Sequence, residues 1–427
     1  MHRLPRLSLV AGCHLLLAAC GPAPTTEERS FEVTAILTVS GPVTPSTPLT
    51  FIQQRFTLVL DPVALTMMLG NESGISQVPV TTDDHVTFRA VGDVTAYSTV
   101  QTSSGAPVTY DRFQVRIDGD RLDGQGAGVV VAPAKCQGST HSPVTGEIVG
   151  TADRSGPSLQ RPYMGGANPL AITNLIASEP LPATTRATLT APGDTVDLLP
   201  VVGSTSDALA GFQTPPGRAL LFGQMYQVVI DPWADFAGNP GLPTPSFMTI
   251  AMPPLDAQDG FEGTGPIASG PAPPPNPSSN LFPPISGSRS ALIGGSFGQL
   301  NPTTPGDDSL WRRLTVPAGA QKVHFALRPI GKSQATLPTT GTTVYVGVPG
   351  AGVNTGQFPA TVDLTTPVTV SSWPQPFFLG DIQTIEIPLP DGAKDEVVFS
   401  LHNRYNPGGC LGTETVMAYL IDDLVVE

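Results

Sequence analysis

Charge is scarce in this chain. Asp, Glu, Lys and Arg make up 13% of its 427 residues, about half the share of an ordinary soluble protein. Cations are the scarcer sign, with 21 Lys and Arg against 35 Asp and Glu and a net charge of −14. So few basic residues argue against nucleic acid as a partner, because gripping a phosphate backbone takes clustered Lys and Arg. They also make the chain a poor candidate for electrostatic docking on anionic lipid. Helical pattern is missing as well: beyond the first 19 residues no three-turn stretch carries an amphipathic period. The sequence holds no His-Glu-x-x-His, no P-loop and no dinucleotide fingerprint, so no common catalytic motif names a reaction. Low charge does not mean disorder here, since 40% of the residues are hydrophobic and disordered chains are poor in them.

What the chain has in abundance is turn formers, 47 prolines and 45 glycines, together nearly twice their average share. Thr, Val and Ser fill much of the rest. That composition favours short strands and many turns, an all-β chain of sandwich type. The N-terminus differs. Arg3 and Arg6 precede the apolar stretch Leu7–Ala19, and Leu17-Ala-Ala-Cys20 follows. A basic start, an apolar core and small residues before a cut make a secretory signal. The stretch is shorter than the roughly 20 residues that span a bilayer. Leu17–Cys20 resembles the lipobox of bacterial lipoproteins. The resemblance implies cleavage before Cys20 and acyl chains (palmitate among them) on its thiol and new N-terminus. Gly21 is not the aspartate associated with inner-membrane retention, which implies the outer membrane where a cell has two. The alternative is an ordinary signal peptide cut elsewhere. Loss of residues 1–19 removes Arg3 and Arg6 and takes the net charge from −14 to about −16.

The remaining length holds two or three domains. Residues 20–30 read as a polar tether. Residues 31–153 form an N-terminal β meander or barrel, with period-two runs at Phe31–Val39, Phe56–Leu60, Val86–Val91 and Phe113–Ile117. Asp118-Gly119-Asp120 marks a hairpin turn. The acids there miss the EF-hand spacing, because Leu122 stands at the third ligand position.

Residues 154–252 carry Leu170-Ala-Ile-Thr-Asn-Leu, Ala177-Ser-Glu-Pro-Leu-Pro, Tyr226 on a late strand, Asp235-Phe-Ala-Gly-Asn239 and a closing Phe247-Met-Thr-Ile-Ala. This order resembles the bacterial Ig-like domains of surface-layer and envelope proteins. It implies a sandwich used as a spacer, with Tyr226 in the core and Gly238 and Asn239 in a turn needing positive φ. Residues 257–427 open on Asp259-Gly-Phe-Glu262, continue through Ser290-Ala-Leu292 and end on Leu420-Ile-Asp-Asp-Leu-Val-Val-Glu427. They resemble galactose-binding-like jelly rolls, an architecture shared with carbohydrate-binding modules. The resemblance implies a glycan or protein partner and a first strand, Gly260–Gly263, near Tyr419–Val426. It also places a structural calcium at Glu262 and Asp423, with Asp259 or Asp422 assisting. Solvated acids at strand ends are the other reading. Pro253 and Pro254 suggest a boundary crossed by few contacts.

Three further constellations have the residue types of a site. Cys136 and Cys410 either pair, as an exported protein permits, or remain two free thiols. Together with His141 and His402 they offer zinc-type ligands, but their spacing fits no compact zinc module. Gly294-Gly-Ser296-Phe-Gly matches the nucleophile-elbow pattern, yet Gln-Leu-Asn-Pro follows where an elbow requires a helix. Trp373, Phe377, Phe378 and Tyr405 serve either as a sugar-stacking platform or as core. The function expected from all this is a lipid-anchored, non-enzymatic binding or adhesion protein of the cell envelope. Its partner would be a glycan or another envelope protein. A purely structural lipoprotein is the alternative, and a hydrolase with an unrecognised site the third.

Overall fold

The computed structural model describes residues 27–40, 51–97, 107–134, 138–160, 166–202, 208–253, 255–256, 261, 268–269, 282–294, 306–339, 341–356, 358–370, 376–405 and 418–427. Among these residues the fold is all-β, with no helix. No sheet mixes strands from 29–152, 159–248 and 255–426.

The first set is β1 (Arg29–Val39), β2 (Phe51–Asp61), β3 (Thr66–Asn71), β4 (Gly74–Thr81), β5 (Thr87–Ala90), β6 (Val94–Ala96), β7 (Val108–Asp118), β8 (Arg121–Ala134) and β9 (Gly138–Ala152). They run β5-β4-β3-β2-β1-β9-β8-β7 and close through β5–β7 pairing, with β6 also on β7. The result is an eight-stranded barrel, a size whose interior side chains just fill. Alternation does the filling: Phe31, Val33, Ala35, Leu37 and Val39 of β1 all point inward and are buried. One polar pair sits inside and is satisfied. Tyr110 Oη donates to Gln54 Oε1 at 2.9 Å, and Gln54 Nε2 donates to the Ala96 carbonyl at 3.1 Å. Gly126 makes room for that ring, since a Cβ there would lie 2.6 Å from Tyr110. The expected hairpin is present, with Gly119–Asp120 linking Asp118 to Arg121. Asp120 pairs with Arg29 and Arg154.

The second set builds two four-stranded sheets. One contains β10 (Leu159–Gln160), β11 (Asn174–Pro182), β15 (Ala208–Gln213) and β14 (Leu199–Val202). The other contains β13 (Asp194–Asp197), β12 (Arg186–Ala191), β16 (Met225–Asp231) and β17 (Ser246–Met248). Their inward residues form one core in which Tyr226, fully buried, stacks on Phe247 at 5.9 Å.

The third set is a larger sandwich. Its six-stranded sheet contains β18 (Leu255–Asp256), β19 (Ala268–Ser269), β21 (Gly306–Thr315), β29 (Glu396–Tyr405), β24 (Thr342–Val348) and β25 (Gly352–Gly356). Its seven-stranded sheet contains β20 (Ala291–Gly294), β30 (Ala418–Val426), β22 (Lys322–Gly331), β27 (Phe377–Gly380), β26 (Thr361–Val368), β23 (Thr336–Pro338) and β28 (Gln383–Pro388). The C-terminal strand β30 runs between β20 and β22. Of Gly260–Gly263 only Phe261 is described, and it is buried in this core.

The boundary at Pro253 is not sparsely crossed. Leu170, Ala219 and Phe222 of the middle sandwich share a buried apolar cluster with Trp311 and Val398 of the last one. The Phe222 and Trp311 rings meet edge to face at 6.0 Å. Arg218 joins in: it donates to the Gly350 carbonyl and pairs with Asp194 at 2.6 Å, while Val353 N donates to the Gly217 carbonyl at 3.0 Å. Trp311 and Val398 lie on the outer face of their sheet, opposite the core-facing Leu310 and Val397. Strand alternation leaves two faces, and here both are buried.

Candidate functional site at the barrel–sandwich junction

The barrel meets the middle sandwich through its own outer wall. On β2 and β3, Leu58, Leu60, Met67 and Leu69 face the barrel interior, whereas Val59 and Met68 face out. Those outward residues are buried with Ile75 against Ala208, with Ala210 and Phe236 packed beside them. Gly70 is required at this contact, because a Cβ would lie 2.3 Å from the Pro180 ring.

Beside this apolar weld lie three buried carboxyls, Asp153, Glu179 and Asp235, with one oxygen of each within 4.8 Å of the others. Each comes from a different element. Asp153 follows β9 and is tied to the start of β1: its N–H donates to the Ser30 carbonyl and Ser30 Oγ donates to its carboxylate, both at 3.0 Å. Glu179 continues the inward slots of Leu175 and Ala177 on β11 and accepts from Thr57 Oγ1 at 3.5 Å. Asp235 caps the turn that Gly238 closes at φ 81°. Its carboxylate accepts from the Asn239 backbone at 2.8 Å and side chain at 2.9 Å. Asn239 Nδ2 also donates to the carbonyls of Asp153 and Ser155, at 3.2 and 3.3 Å. Asn239 therefore stitches this turn to the end of the barrel, and of the two turn residues only Gly238 has positive φ.

Burial pushes Glu179 up to about 9, and the neighbouring Asp153 and Asp235 charges add to it. Burial also raises Asp153, opposed by its hydrogen bond from Ser30. Near neutral pH the Glu179 carboxyl is therefore protonated and bonded to Asp153. The cluster is a proton-holding clasp between two modules, and nothing beyond the carboxyls themselves marks an ion site.

Next to it runs an open trough of about 620 Å³. Its floor is the outer face of β2, β1 and β9, where the register sets Glu32 between Thr57 and Thr151, and Thr34 between Arg55 and Val149. Asn71 and Glu72 of the barrel and Gln160 and Ser178 of the sandwich complete the lining. Arg55 is exposed and has no ion-pair partner among the described residues. A trough lined by hydroxyls, amides and charges of both signs offers hydrogen bonds to a polar ligand.

The residues singled out from sequence fall elsewhere. Cys20, Cys136, Cys410, Asp259, Glu262, Ser296 and Trp373 lie outside the described residues, as does the Tyr405 side chain. His141 on β9 and His402 on β29 belong to different sheets. Phe377 is buried, edge to face with Phe282 at 5.5 Å, and Phe378 is half-buried against the last core. Both serve as core rather than as a platform. Asp422, not Asp423, is the built-in acid of the last strand. Fully buried, it accepts from Ser286 N at 3.0 Å and Ser290 Oγ at 2.8 Å. Asp423 is exposed at φ 51° and accepts from Ser286 Oγ.

Of the clasp, Glu179 alone leaves a trace in the sequence, an acid in an inward slot of an alternating strand. Asp153 and Asp235 look like ordinary turn acids. Comparison with protein-family models and with curated proteins returns no match.

Proposed function

We propose that this is a lipid-anchored protein of the cell envelope that binds a hydroxyl-rich ligand, a glycan, without transforming it. The leader ending in Leu17-Ala-Ala-Cys20 supports the address. The trough along the barrel wall is the observation that carries the binding reading: its Glu32, Arg55, Thr57, Gln160 and Ser178 side chains can each hydrogen-bond a sugar hydroxyl. The trough is shaped jointly by two modules, so ligand recognition depends on the junction that Glu179 and Asn239 hold.

A glycan-array screen of the mature chain carrying Cys20→Ala tests this. Binding should appear and fall about tenfold or more, about 1.4 kcal/mol, in Arg55→Ala and Glu32→Gln. An array without binding, or binding indifferent to both substitutions, would refute the trough. The packed junctions favour a second reading, a structural strut with no small ligand. On that reading both variants behave as wild type, while variants that loosen a junction impair the envelope.

A further inference from the structure

The turn between β2 and β3 is unusual for its position. Its residues Val63, Ala64 and Leu65 point into water, with Val63 79% exposed. Exposed turns normally use polar residues or glycine. The turn is also tightly held. Asp61 Oδ1 accepts from the N–H of Val63 at 2.9 Å and of Ala64 at 2.8 Å. Leu65 is fixed at φ 53°, and its carbonyl accepts from Val80 N at 2.8 Å. A left-handed leucine is uncommon. The apolar surface continues sideways. Pro79 is exposed beside this turn, and its carbonyl accepts from the N–H of Val91, itself 50% exposed.

The place of this tip in the fold identifies what it meets. β1 begins at Arg29, whose register partner is Leu60, one residue before Asp61. The chain therefore enters the barrel at the rim where the tip projects. Only eight residues, 21–28, separate Cys20 from that strand, at most about 30 Å of extended chain. We propose that the Val63–Leu65 turn, flanked by Val91, inserts into the bilayer interface and sets the orientation of the barrel on the membrane. This rests on Cys20 being acylated. The anchor supplies a high local concentration, so a small apolar tip suffices. Asp83 and Asp84 lie in the neighbouring β4–β5 turn, so the contact is made by apolar burial rather than by charge.

The test uses the acylated full chain in vesicles of phosphatidylcholine brominated on its acyl chains. Val63→Trp is compared with Leu242→Trp, an exposed apolar position on the middle sandwich, each against the wild-type background of Trp233, Trp311 and Trp373. The added emission at residue 63 should be quenched at least about twofold more than that at residue 242. It should stay so at roughly 1 M salt, where the Debye length is only about 3 Å. Equal quenching overturns the proposal, as does quenching that salt abolishes. Intact mass and vesicle flotation on the same sample separate the two layers. An acylated, floating protein with an unquenched residue 63 sinks the tip and leaves the anchor. A protein with no added acyl mass that fails to float sinks the anchor, and the tip with it. Matching melting curves confirm that both variants keep the fold.

Discussion

Two acids show how differently a buried carboxyl can be used. Asp422 is fully buried on the last strand, with Oδ2 accepting from Ser286 and Ser290 and Oδ1 from the Asp423 N–H. Asp422→Ala removes the acceptor and leaves the buried Ser290 and half-buried Ser286 donors without it, at about 1–3 kcal/mol. Asp422→Asn should cost less. A drop in the urea midpoint of the alanine variant at unchanged slope would register this. Glu179 works the other way, because its neighbours are acids. Its folded value, about 9, stands well above the ordinary 4.5, so the unfolded chain releases this proton first as pH rises. Its contribution to stability is complete below pH 4.5 and declines from there to about 9, by up to about 1.4 kcal/mol per pH unit. Glu179→Gln keeps a neutral donor in place and removes the titration. The variant should melt above wild type at pH 8 and nearly with it at pH 4.5. Parallel pH profiles for the two proteins would contradict the assignment.

At the scale of strands, the position of β30 decides how much of the last sandwich depends on it. It runs between β20 and β22 and buries Leu424 and Val426 in the core. Deleting Asp422–Glu427 removes those side chains, the Asp422 network and the pairing with the start of β22. That loss is several kcal/mol, comparable with the whole stability of a domain. The last sandwich should then lose its cooperative transition in calorimetry. A full chain that melts unchanged after the deletion would show these residues to be a loose tail. Much of this scale was legible beforehand. Phe31–Val39 alternates so regularly that its inward face could be marked residue by residue, and Asp118-Gly119-Asp120 announced its hairpin. Val59 and Met68 were not legible, because an apolar residue on the outer face of a barrel reads as exposed until another module covers it.

For the whole molecule the joints matter most. Both are packed, the first by Val59, Met68 and Phe236 around the acidic clasp, the second by Phe222 and Trp311 with Arg218 beside them. Phe222→Ala should cost about 3–5 kcal/mol, and its effect should be shared by the middle and last sandwiches, since the ring belongs to both. Differential scanning calorimetry would show a downward shift of both transitions. A shift confined to the middle sandwich would mean that the two modules are independent. If the anchor is right, Cys20→Ala moves the chain from the washed membrane fraction to the soluble one, because a single apolar turn cannot replace acyl chains. Persistence of that variant on membranes would remove the anchor from the account.

What the sequence by itself determined is the all-β class, the inward faces of its alternating strands and its tight turns. These follow from local stereochemistry: a period of two, turn residues at fixed offsets, and too few helix-favouring stretches to compete. Tertiary structure alone decided the closure of the barrel through β5 and β7, the use of Phe377 as core and the meeting of Asp153, Glu179 and Asp235. Those carboxyls are separated by 26 and 56 positions and gain their shared proton only when three elements exclude water around them. Burial and proximity are properties of the packed chain, and no local pattern encodes either.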